Sequence, residues 1–257
     1  MLAELLELAP AGFEQVDGDG FVEFALYGAA GELPDLPAGR ARIGPTAVHV
    51  STEQVGDNWA DRWREFHRPA QIGRLYVRPP WCEPLHDGID VVIDPAQAFG
   101  TGAHPTTRLS LELLLDVAAG RAPAVAPAPL VDLGCGSGVL AIAAAKLGFA
   151  PITAVDHDQA AIDATNDNAS ANGVTLERVQ RHDLRTGPAP VAPVMTANLM
   201  RPLLLSVAEL LPEQPDTLIV SGLLEGEEEV VAAAFAPLRE RRRRRLQGWS
   251  ALLLTRP

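Results

Sequence analysis

The residues best able to do chemistry lie in one short run, Val131-Asp132-Leu133-Gly134-Cys135-Gly136-Ser137-Gly138-Val139. Apolar Leu130 and Val131 lead in as a buried strand, three glycines let the backbone turn sharply and approach a ligand, and Val139 to Ala145 is strongly helix-forming. A strand that breaks into a glycine turn and then a helix seats a ligand on the turn, here at Gly134 and Gly136. The spacing G-x-G-x-G is not the G-x-G-x-x-G of dinucleotide binders. Asp132 also stands where a pyrophosphate would approach, and like charges there repel. A cationic ligand suits that acid.

S-adenosylmethionine (SAM) carries an ammonium, a sulfonium and no phosphate, and three further positions agree with it. Asp156 follows the glycine run at roughly the 20-residue spacing at which a carboxylate takes a ribose diol. Its alternative role as a helix N-cap falls more naturally to Asp158. Asp183, at the end of the next strand, is placed to accept from an adenine amino group, or is a simple turn carboxylate. Asn198 ends the strand after that, where its side-chain carbonyl accepts from an amine; a turn residue is the bland alternative. Upstream, Asp94-Pro-Ala-Gln-Ala-Phe99-Gly100-Thr101-Gly102-Ala-His104-Pro105-Thr106-Thr107 sets a glycine-flanked loop before a helix start, fit to cover the methionine part of SAM. His104 is either a proton acceptor or a structural piece of that loop.

From Gly88 onward strands and helices alternate, as in a doubly wound sheet. Strands are expected at Asp90–Ile93, Leu130–Leu133, Ile152–Val155, Leu176–Gln180, Val194–Ala197 and Thr217–Ser221. Helices are expected at Pro105–Ala118, Gly138–Leu147, Gln159–Asn172, Pro202–Leu211 and Glu225–Ala236, with Leu238–Leu246 and Trp249–Thr255 closing as an antiparallel pair. Before them, Leu2–Leu8 has helical spacing, and Phe21–Tyr27, Arg40–Ile43 and Ala47–Ser51 read as short strands of a small α/β recognition unit. Asp57–His67 reads as a helix whose Trp59, Trp63 and Phe66 share a packing face. Leu75–Val77 gives a strand closed by Pro79-Pro80-Trp81. The organisation is therefore a recognition domain over 1–55, a linker helix and connector over 56–84, and a catalytic domain over 85–257.

A net charge of −12 argues against phosphate-backbone binding and for a basic protein partner. The run Arg241 to Arg245 is the exception, though alternation on a strand sends only half of it to each face. No apolar run approaches the roughly 20 residues of a membrane span, and Met1–Leu8 lacks the basic start of a signal peptide, so the cytoplasm is the expected place. Cys82 and Cys135 lie far apart in unrelated contexts, so neither a disulfide framework nor a metal site is expected.

The strings Asp94 to Thr107 and Asp132 to Gly138, Asp156 with Asn168 and Asn172-Gly173, Ala197-Asn198-Leu199, and the preceding Trp59, Trp63, Gly73 and Trp81 together resemble the ribosomal protein L-eleven methyltransferase (PrmA) family. The resemblance runs from about Asp57 to the end and is carried most by A-F-G-T-G-x-H-P-T-T. It implies an α/β fold, a Rossmann-like SAM methyltransferase sheet behind a small ferredoxin-like domain; separately, a monomer is expected. The implied activity is repeated N-methylation of a basic ribosomal protein at lysine side chains and its N-terminal amine, with SAM held by Thr107, Gly134, Asp156 and Asn198, and Phe99, Gly100 and Thr101 lining the site. The sequence departs from nucleobase methyltransferases in following Asn198 with Leu199, Met200 and Arg201, which supply no aromatic to stack a flipped base. Methylation of another protein's lysine or of a small amine, or SAM binding without catalysis, are the alternatives.

Overall fold

The computed structural model describes residues 14–18, 21–25, 39–43, 46–51, 67–85, 87–95, 100, 102–120 and 127–257. The chain divides into two compact units, Met1–Arg64 and Glu65–Pro257. In the first, β1 (Glu14–Gly18) pairs antiparallel with β2 (Phe21–Ala25), and β3 (Gly39–Ile43) with β4 (Thr46–Val50). The register of the first hairpin closes at Gly18 and Phe21. A ferredoxin-like fold needs one sheet with helices laid on it, and the described residues of this unit give only these two hairpins. The helix expected at Leu2–Leu8 lies outside the described residues, as does all but His67 of the one expected at Asp57–His67, with Trp59, Trp63 and Phe66.

The second unit opens with β5 (Ala70–Ile72), β6 (Leu75–Arg78) and β7 (Ile89–Val92), which form a three-stranded sheet of their own. This corrects the expectation that the strand near Asp90 joins the doubly wound sheet: β7 runs parallel to β6 instead. Alternation reveals a strand and its buried face, whereas its partner is chosen by distant residues.

The main sheet has seven strands in the order β10-β9-β8-β11-β12-β14-β13. These are β8 (Leu130–Leu133), β9 (Ile152–Asp156), β10 (Arg178–Arg181), β11 (Val194–Asn198), β12 (Thr217–Leu224), β13 (Arg239–Leu246) and β14 (Trp249–Thr255). Five are parallel, and the final hairpin returns antiparallel with β14 against β12. The helices are α1 (Pro105–Ala119), α2 (Val139–Lys146), α3 (Gln159–Ala171), α4 (Arg201–Leu210) and α5 (Glu228–Ala234). α5 is shorter than expected: β12 runs on through Gly222 to Leu224, and residues 225–227 turn before the helix starts at Glu228.

Residues alternate between two cores, one on each face of the sheet. Leu130, Val194 and Ile219 pack with α1, α2 and α3, whereas Val131, Leu133, Met195, Leu218 and Val220 pack with α4 and α5. Covering both faces is what a parallel sheet requires. Strand order reverses between β8 and β11, so their carboxyl ends flank a crevice, the place where open α/β sheets bind ligands. Among the described residues no helix is long and apolar enough to cross a membrane.

Candidate active site

Asp132 lies on β8 just before the glycine turn and is buried. Its register partner on β11 is Thr196, whose hydroxyl donates to Asp132 Oδ1 at 2.6 Å. The other oxygen, Oδ2, is buried with no hydrogen-bond partner. Burial pushes the carboxyl up to about 6, against the opposing influence of the Thr196 hydroxyl and the Ala141 amide.

The turn is held open by its neighbours. Gly134 has φ +69°, and a Cβ there would run into the Leu199 side chain. Gly222 has φ +84°, and a Cβ there would strike the backbone of the same Leu199. Glycine at both positions lets the Asn198-Leu199 turn wedge between the ends of β8 and β12. The Leu199 amide then donates to Ser221 O at 3.1 Å, which fixes Asn198 at the rim of the crevice. The Asn198 carboxamide is partly exposed and makes no hydrogen bond among the described residues.

Asp156 ends β9 beside the turn. Its Oδ2 accepts from the Gly136 amide at 3.0 Å and its Oδ1 from the Asp158 amide at 3.1 Å. Asp158, rather than Asp156, caps α3, accepting from the Ala160 amide at 3.0 Å. The carboxylate that closes the glycine turn is therefore the one expected to take ribose hydroxyls. Asp183 lies one strand further out, where the His182 amide donates to Asp156 O at 2.7 Å. Its carboxylate is engaged by Arg185 at 2.8 and 3.0 Å, which holds it at about 2.

α1 points its start at the same crevice. Thr106 O accepts from Ser221 Oγ at 3.0 Å, and Ser221 is the register partner of Asn198. Thr107 is fully buried, and its Oγ1 has no hydrogen-bond partner. His104 caps the helix: its Nδ1 accepts from the Thr106 amide at 3.3 Å, and its ring meets Trp249 edge-on at 5.1 Å. Burial lowers His104 to about 4, so it is neutral near pH 7 and a weak base. Gly100 sits against the glycine turn, its carbonyl accepting from Ser137 Oγ at 2.8 Å. Phe99 and Thr101 lie outside the described residues.

The structure thus gathers Gly100, Thr107, Asp132, Gly134, Gly136, Asp156 and Asn198 around one crevice. It adds Thr196, Ser221 and Gly222, which sequence reasoning missed. The signal for Thr196 and Ser221 was a hydroxyl inside an otherwise apolar strand, since a buried hydroxyl needs a partner. Among the described residues no group of three or more His, Cys, Asp or Glu side chains is placed to hold a metal. The orphaned Asp132 Oδ2 and Thr107 Oγ1, with the unpartnered Asn198 amide, form a donor and acceptor set suited to a cationic, hydroxyl-bearing ligand such as SAM.

Comparison with known proteins agrees with this geometry. Residues 36–257 match the family model described as ribosomal protein L11 methyltransferase (PrmA). The protein of that name from Edwardsiella ictaluri is 41% identical over 222 residues, covering 83% of this chain and 71% of the relative. That from Citrifermentans bemidjiense is 38% identical over 230 residues, covering 84% and 75%. The crystal structure of ribosomal protein L11 methylase from Lactobacillus delbrueckii subsp. bulgaricus superposes with a TM-score of 0.62 at 27% identity, covering 74% of this chain and 99% of the other. The chain belongs to the ribosomal protein L11 methyltransferase (PrmA) family.

Proposed function

We propose that this protein is a SAM-dependent N-methyltransferase that modifies lysine side chains and the N-terminal amine of ribosomal protein L11. The observation that carries the reading is the set of polar groups left without partners at the switch point of the sheet. Bound SAM supplies an activated methyl group; the chain supplies binding, orientation and exclusion of water. Asp156 and the glycine turn at Gly134 and Gly136 take the ribose side, Asp183 the adenine, and Thr107 and Asp132 the methionine end, beneath Phe99, Gly100 and Thr101. Asn198 Oδ1 accepts a hydrogen bond from the substrate amine and so orients its lone pair. A lysine amine has a reference pKa of about 10.4 and must be neutral to react. With His104 committed to a helix cap, water takes that proton.

The net charge of −12 draws a basic ribosomal protein toward the enzyme. Residues 1–55 recognise it, 56–84 connect, and 85–257 perform the transfer, in a cytoplasmic monomer that does not bind nucleic acid directly. The arginine run supports the last point, because on β13 four of its five members, Arg242 to Arg245, are spent on acids. Arg242 and Arg244 reach Asp116 on α1, while Arg243 and Arg245 reach Glu229 and Glu228 on α5. The test is incubation with labelled SAM and purified L11, mass spectrometry locating the modified amines, and calorimetry with S-adenosylhomocysteine. Asp156→Ala is expected to weaken cofactor binding at least 100-fold. Asn198→Ala should retain much of the SAM binding and lose turnover at least 100-fold. Unchanged cofactor affinity in Asp156→Ala would overturn the ribose assignment, and transfer to another protein but not to L11 would overturn the substrate.

A further inference from the structure

Asn168 and Asn172 belong to the pattern that marked the family, and neither reaches the crevice through its own side chain. Each instead uses both ends of its carboxamide on backbone groups far away in sequence. Asn172 Oδ1 accepts from the Val92 amide at 2.9 Å while its Nδ2 donates to Val92 O at 2.6 Å. β7 is an edge strand, so this side chain bonds it as a neighbouring strand would. One turn earlier, Asn168 Oδ1 accepts from the Asp94 amide at 2.9 Å, and its Nδ2 donates to Ser137 O at 2.9 Å. Asn168 is only 3% exposed, so water does not substitute for either bond.

The third member of the same helical face is Thr165, whose hydroxyl donates to Gly136 O at 3.0 Å. Ser137 closes the circuit by donating to Gly100 O. One face of α3 thus grips the glycine turn at Gly136 and Ser137 and the β7 exit at Val92 and Asp94, and the turn grips Gly100.

We propose that Asn168 and Asn172 are positioning residues that lock the segment leaving β7 to the glycine turn, so that the two walls of the donor crevice keep a fixed separation. The inference rests on the reading of that crevice as the SAM site. Asn168→Asp is the sharpest test, being isosteric. It keeps the acceptor for the Asp94 amide, loses the donor to Ser137 O, and sets two oxygens face to face. The expected result is a KM for SAM raised at least tenfold, with kcat at saturating SAM lowered less than threefold and KM for L11 unchanged. S-adenosylhomocysteine affinity should fall by the same factor as KM rises.

Hydrogen exchange in the unliganded protein gives a readout independent of activity. Amides over 134–139 should lose protection at least tenfold in Asn168→Asp while the Asp94 amide keeps its own. A second variant, Ser137→Ala, removes only the hydroxyl that holds Gly100. In the double variant the two KM effects should fail to multiply, because both cut one path. Equal losses in kcat and both KM values, unchanged exchange over 134–139, or fully multiplicative effects would each overturn the proposal. A wild-type protein that shows no affinity for S-adenosylhomocysteine would overturn the functional reading instead, and the exchange result would still decide the lock.

Discussion

Among the described residues two carboxylates, Asp132 and Glu228, are almost wholly buried, and they behave oppositely. Asp132, at the centre of the main sheet, accepts from Thr196 on one oxygen and leaves the other without a partner, and burial pushes it up to about 6. Glu228, at the antiparallel edge, has both oxygens occupied. Its Oε1 accepts from Ser250 Oγ at 2.8 Å and from Arg245 at 2.7 and 2.8 Å, and its Oε2 from the Gly226 amide at 2.6 Å. Burial alone would raise Glu228, and bonds from its own amide, Ser250, Arg245 and Gly226 outweigh it, leaving the group at about 2. Burial is common to both; the supply of donors is not. A carboxylate completed by its own chain is a strut between β13, β14 and α5. One kept short of donors at a switch point is held ready for a cation.

The distinction is tested most severely at Glu228. Glu228→Gln places an NH₂ against either the Gly226 amide or the donors of Ser250 and Arg245, and strips Arg245 of its buried countercharge. The expected loss is about 3 kcal/mol, read as a fall in the urea midpoint. The wild type should show the matching pH dependence. Because the folded-state pKa is depressed, the stabilisation is present above about 4.5 and is lost as pH falls toward 2. A variant within about 0.5 kcal/mol of wild type would place Glu228 among ordinary surface acids and end the contrast.

Asp132→Asn sharpens the other half, with the opposite sign. Here the folded-state pKa is raised, so the unliganded wild type gains stability as pH falls through about 6 toward 4 and loses it as pH rises. The amide variant lacks this proton uptake. The stability difference between the two proteins should therefore move in favour of wild type by roughly 2–3 kcal/mol between pH 7.5 and pH 4. Saturating SAM should shrink that change, since a bound cation favours the ionised acid. A pH-independent difference without ligand would mean that Asp132 is solvated like any surface carboxylate.

The same contrast explains what the sequence made legible. The strand, glycine turn and helix around Asp132 are specified locally by residue type, and each of these elements formed within two residues of its expected limits. The hydrogen bonds that complete the site are not local. Thr196 meets Asp132 only because β11 crosses over to lie beside β8, and Asn172 meets Val92 across 80 positions. For the same reason β7 was legible as a strand but not as a member of a separate sheet. The arginine run was legible as an alternating strand, whereas its acidic partners on α1 and α5 were not.

That run supplies the smallest expected effect. Arg244 bridges Glu112 at 2.9 Å and Asp116 at 2.8 Å, yet all three side chains are between a quarter and a third exposed. Water already solvates these charges in part, so the pair gains little over separated ions. Arg244→Ala should cost no more than about 1 kcal/mol, and the cost should shrink in about 1 M salt, where screening acts within roughly 3 Å. Arg241, which reaches only Thr255 Oγ1 at 2.9 Å, should fall within about 0.5 kcal/mol of wild type on replacement by Ala. The ranking Glu228, Arg244, Arg241 follows the degree to which each charge has been taken from water. If Arg244→Ala proved as damaging as Glu228→Gln, charge pairing rather than burial with full hydrogen bonding would set the stability of this edge.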